Sequence, residues 1–139
     1  MAHLAQRRRL LFAVLTAAVW GLAWNVGLNA TQRIRPPDGV KCPRNHLTSF
    51  TGTILSYSRA LGHTEIRMRT DEHTTEKFVL QHPKSEDPSL WFLLRGMPFK
   101  GPDWAAIESE KGRLRPNMRA TVWVCDDGSN PIVDWRPQQ

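Results

Sequence analysis

The sequence predicts a small, mainly β domain, a five-stranded barrel with a helical insert between its third and fourth strands, carried behind one N-terminal hydrophobic helix. Three observations predict it. A nearly unbroken apolar run fills residues 10–28, directly behind Arg7, Arg8 and Arg9. Short β-branched and alternating stretches begin at Leu47 and are punctuated by Gly, Asp and Asn turns. Between the third and fourth of these lies a proline-led apolar segment with the marks of helix.

The chain has 139 residues, 40% of them apolar, and a net charge of +6. That length fits one domain and an appendage. Arg7, Arg8 and Arg9 supply half of the net charge, so the remainder is not that of a dedicated DNA binder. Residues 1–9 and 10–28 read as the basic and hydrophobic regions of an export signal. The apolar run also has the roughly 20 residues needed to cross a bilayer, with Trp20 and Trp24 near one end, where amphipathic rings favour the interface. Cleavage after Ala30 would leave Leu28 as a poor −3 residue, which favours a retained signal-anchor; a secreted domain after cleavage is the alternative. The twin-arginine pattern is matched only loosely by residues 6–11. The arginine cluster and the short N-terminal tail predict a single-pass protein of the inner or plasma membrane, its C-terminal domain on the periplasmic or extracytoplasmic side.

Residues 29–46, with three prolines and no apolar periodicity, read as a linker to a domain at 47–136. Residues 49–58 (SFTGTILSYS) form a first strand, in which Gly52 marks a bulge or sharp bend. A turn at residues 61–63 leads into residues 64–70, where Ile66 and Met68 alternate with Glu65, Arg67 and Arg69. Residues 74–81 follow as a third strand, with Phe78 and Leu80 inward. Asp87-Pro88 starts a predicted helix that ends at Gly96, and a second helical stretch is expected from Asp103 to Gly112. Residues 118–125 (MRATVWVC) and 131–136 complete a hairpin across the Asp126-to-Asn130 turn. This order resembles the OB-fold, a Greek-key barrel with a helix between strands three and four. The resemblance is architectural and brings no family motif.

Cys42 and Cys125 are the only cysteines. The OB arrangement brings the start of strand one to the end of strand four, where these two residues lie, so a disulfide is predicted. The chain-entropy model gives it up to about 4 kcal/mol, and it persists only in an oxidising compartment. No Cys or His pair has metal-ligand spacing, and no metal site is expected.

Membrane-anchored OB domains that carry haem need an exposed histidine with a supporting tyrosine. The single tyrosine, Tyr57, lies in the first strand, and no cofactor is implied. Asp126-Asp127 and Asp71-Glu72 sit in turns, where acidic residues serve the backbone. No nucleophile elbow, phosphate loop or zinc helix is present, and the sequence predicts no enzyme. Surplus aromatic surface in residues 90–104 predicts instead a protein-contact patch of Trp91, Phe92, Arg95, Phe99 and Trp104. The expected role is a membrane-tethered domain that binds protein partners in an envelope assembly. The alternative is single-stranded nucleic acid or another polyanion held by Arg67, Arg69 and Lys77, though that face lacks the aromatic platforms such binding uses.

Overall fold

A computed structural model describes residues 34–138. The basic region 1–9, the predicted anchor 10–28 and the first residues of the predicted linker lie outside them. The described chain is mainly β, built on one seven-stranded mixed sheet. Its strands are β1 (Leu47–Ala60), β2 (His63–Thr70), β3 (Thr75–Gln81), β4 (Phe92–Leu94), β5 (Met97–Pro98), β8 (Arg119–Cys125) and β9 (Ile132–Arg136). A small hairpin of β6 (Glu108–Glu110) and β7 (Arg113–Leu114) stands apart from it. The sheet order is β3-β2-β1-β8-β9-β4-β5.

Strand β1 organises this order because it serves two partners. Residues from Leu47 to Thr53 pair with β8, and those from Gly52 to Ala60 pair with β2. The two ladders overlap at Gly52 and Thr53. A Cβ placed at Gly52 would stand 2.1 Å from the Arg69 carbonyl oxygen, so no side chain fits between β1 and β2 at that point. The bulge itself falls later, between Ile54 and Ser56. A bulge of this kind locally increases the twist of the strand that carries it.

Alternation then decides what is inside. Thr64, Ile66, Met68 and Thr70 of β2, and Phe78 and Leu80 of β3, are buried. Ile66, Met68, Phe78 and Leu80 meet Ala120 and Val122 of β8, Val133 and Trp135 of β9, and Phe92 of β4 in one core. Trp123, on the opposite face of β8, is also buried, at 3% exposure. A crevice at that face is lined by Gly39, Val40 and Cys42 together with Trp91 and Trp123. Residues 34–46 are thus not a free linker over their described length: Gly39 lies against Leu93, and Cys42 is bonded to Cys125.

The predicted barrel and its helical insert need correction. β3 and β9 share no backbone pairing, so the sheet is not a closed barrel. The segment led by Asp87-Pro88 makes only a short 3-10 turn, Pro88–Trp91, capped by the Asp87 side chain on the Ser89 N–H. Phe92–Leu94 then leave it to pair in parallel with β9. A short apolar run serves a buried strand or a buried helix equally well, and here pairing with β9 decides it. The second predicted helix is one short turn, α1 (Trp104–Ile107), after which the chain enters β6. Gly112, at φ +81°, turns β6 into β7 and ends any helical continuation.

Candidate functional site

The five aromatic and basic residues expected to form one contact differ in how far the fold exposes them. Phe92 is 2% exposed and belongs to the core. Its ring stands edge-on to Trp135 at 5.2 Å, Phe99 at 5.6 Å and Trp104 at 5.7 Å. Such tilted contacts satisfy the ring quadrupoles and use the aromatic surplus internally. Trp91 is half-buried against His82 and lines the crevice beside Trp123. Phe99 and Trp104 are half-buried and meet edge-on at 5.1 Å. Arg95 alone of the five is exposed.

Trp104 has a further partner. The Arg59 guanidinium lies 4.1 Å from its ring centroid, while Arg59 Nη2 donates to Glu108 Oε2 at 2.7 Å. The Tyr57 hydroxyl donates to Glu108 Oε1 at 2.8 Å, and the Gly112 N–H donates to Glu108 Oε2 at 3.1 Å. Glu108 is buried, and its two carboxylate oxygens accept these three hydrogen bonds. Burial, then the hydrogen bond to Glu108, pushes the Tyr57 phenol well above its ordinary range. This cluster ties the end of β1 to the β6–β7 hairpin. Its carboxylate joins the two segments by accepting from a phenol, a guanidinium and a backbone N–H.

Arg95 leads to an open groove of about 520 Å³. Its wall comprises Leu94 and Arg95 from the β4–β5 turn, Ala105 and Ala106 from α1, and Arg115, Pro116 and Met118 from the approach to β8. Pro137 and Gln138 complete it. Met118 and Leu94 are the less exposed floor, while Arg95 and Arg115 stand exposed. Each guanidinium is steadied by a carbonyl: Arg95 Nη2 donates to Pro137 O at 3.1 Å, and Arg115 Nε donates to Ala105 O at 2.9 Å. Among the described residues the lining carries two arginines and no carboxylate.

Arg95 has an unusual backbone. It sits at φ +51° and Gly96 at φ +81°, the two central residues of the β4–β5 hairpin. Such a turn calls for Asn or Asp followed by Gly, and a bulky residue there costs on the order of 1 kcal/mol. The turn is held from below by Asp134, fully buried, whose Oδ1 accepts from the Gly96 N–H at 2.7 Å. Sequence reasoning found Arg95 through its aromatic setting. It missed Arg115, Met118 and Pro137, because nothing in their local sequence reveals that four separate segments meet.

The alternative polyanion residues do gather. Arg67 on β2 is directly across from Lys77 on β3, and Arg69 is across from Thr75. All three basic side chains are exposed. Lys77 Nζ holds Glu65 Oε2 at 2.9 Å, and this bond keeps the Glu65 carboxyl below its usual range. Among the described residues no group of His, Cys, Asp or Glu could hold a metal ion. No helix there is long and apolar enough to cross a membrane. Comparison with protein-family models, curated proteins and solved structures finds no match to this chain.

Proposed function

We propose that the chain is a membrane-tethered, non-enzymatic binding domain, exposed outside the cytoplasm, that docks a protein partner of an envelope assembly through the Arg95–Arg115 groove. The observation that carries this reading is Arg95 itself. A strained left-handed position that favours Asn is occupied by an arginine, and its side chain reaches the rim of an apolar groove with a second arginine on its wall. Local strain retained at a surface site is a mark of use. The chemistry that fits is a short partner segment with one apolar side chain for the Met118 floor and one carboxylate for the two guanidiniums.

The tethering and the side of the membrane rest on the arginine-led apolar run of residues 7–28 and on the Cys42–Cys125 bond, which an oxidising compartment sustains. An OB-like ancestry accounts for the order β3-β2-β1-β8-β9, which is that of the five OB strands without the final closure. The test is a photo-crosslinking residue in place of Ala105, in the full chain within its own membranes. A discrete protein adduct that disappears when Arg95→Glu is added supports the groove. Adducts to lipid alone contradict it. Intact mass of the purified chain distinguishes the retained anchor from a cleaved, secreted domain.

A further inference from the structure

We infer that the free edge of β3 is a second docking surface, which takes an acidic protein segment in extended conformation as an added strand. β3 is a terminal strand of the sheet. The Gln81 N–H points away from β2, because it donates at 3.0 Å to Asn130 Oδ1. The β2–β3 register runs without a shift, so backbone groups alternate in direction along β3. Thr75, Lys77 and Val79 therefore turn their N–H and C=O groups outward as Gln81 does. Among the described residues nothing pairs with these groups.

Asn130 demonstrates what the edge accepts. Its side-chain amide makes both bonds to Gln81 that a neighbouring peptide group would make. Thr75 to Val79 offer the same pattern further along, where a donated strand would continue it.

The side chains on that face select the occupant. Arg67, Lys77 and Arg69 form an exposed basic row, with Glu65 already held by Lys77. A strand whose alternate residues are acidic would bring a carboxylate beside Lys77 and within reach of the arginines. A second copy of this chain fits poorly, since twofold pairing about Lys77 opposes two like charges, a device that also discourages edge-to-edge aggregation. Single-stranded nucleic acid also fits poorly: the outward residues Glu65, Arg67, Arg69, Thr75, Lys77 and Val79 include no aromatic platform. The surface is independent of the Arg95 groove.

The test uses the full chain in detergent, labelled for amide NMR, and a synthetic peptide alternating Glu with Val. Binding should shift and protect the amides of Thr75, Lys77 and Val79 more than those of Glu76 and Phe78. Val79→Pro removes one outward donor while leaving the β2 ladder intact, and should weaken binding by about tenfold. The peptide N-methylated at alternate positions, so that its edge donors are lost and its charge is kept, should not bind. If the N-methylated peptide binds equally well, charge alone is responsible and the strand-addition proposal fails. Displacement of the peptide by an oligothymidylate at equal concentration would likewise overturn it in favour of a polyanion site.

Discussion

The side-chain amide of Asn130 brackets the Gln81 peptide group: Oδ1 accepts from the Gln81 N–H at 3.0 Å, and Nδ2 donates to the Gln81 C=O at 2.6 Å. One side chain thereby links the edge of β3 to the chain just ahead of β9, where no strand pairing joins them. The curled sheet is fastened at this point without being closed.

Replacing Asn130 should loosen that fastening. Gln81 is exposed, so water takes over the lost partners and the cost is modest. Asn130→Ala is expected to lose about 1–2 kcal/mol in urea unfolding, and Asn130→Asp, which keeps the acceptor and loses the donor, about half of that. An unchanged midpoint for both variants would refute the role.

Gly52 should tolerate no side chain. Gly52→Ala directs a methyl into the backbone of Arg69 and Thr70, which cannot move aside as a flexible side chain could. The expected loss is about 3 kcal/mol. A stability equal to wild type would mean that β1 and β2 do not cross this closely.

Tyr57 gives a pH signature. It is the chain's one tyrosine, so tyrosinate absorbance reports a single site. The unfolded chain loses the phenolic proton near pH 10 (roughly), whereas the native phenol, buried and bonded to Glu108, keeps it. Above that pH the unfolded state binds fewer protons than the native one, and stability must fall as pH rises. Absorbance should therefore appear together with unfolding, and Tyr57→Phe should flatten the alkaline slope. Titration of the native protein near the ordinary tyrosine value would contradict this.

The strands were legible in the sequence where period and turn chemistry agreed. Ile66 and Met68 alternate with charge, and the Asp126-to-Asn130 turn separates two β-rich runs; both hairpins stand as expected. The Cys42–Cys125 bond followed from where β1 starts and β8 ends, and the structure contains it. The insert was not legible, because Leu90 to Leu94 carries no period that separates a strand from a helix. The aromatic surplus misled for a related reason. Counting Phe92, Phe99 and Trp104 as excess surface overlooked that they cover one another and Trp135. Met118 and Pro137 reach the groove only through tertiary folding, and no local pattern encodes that.

The most direct measurement is the affinity of the segment crosslinked from Ala105, made as a synthetic peptide, for the full chain and for its Arg95→Glu variant. Loss of a carboxylate–guanidinium contact and its replacement by repulsion should weaken binding by about a hundredfold. Exchanging the peptide's acidic residue for lysine should restore much of that affinity with Arg95→Glu. Equal affinity of the two chains for the unaltered peptide would contradict the groove as the docking site.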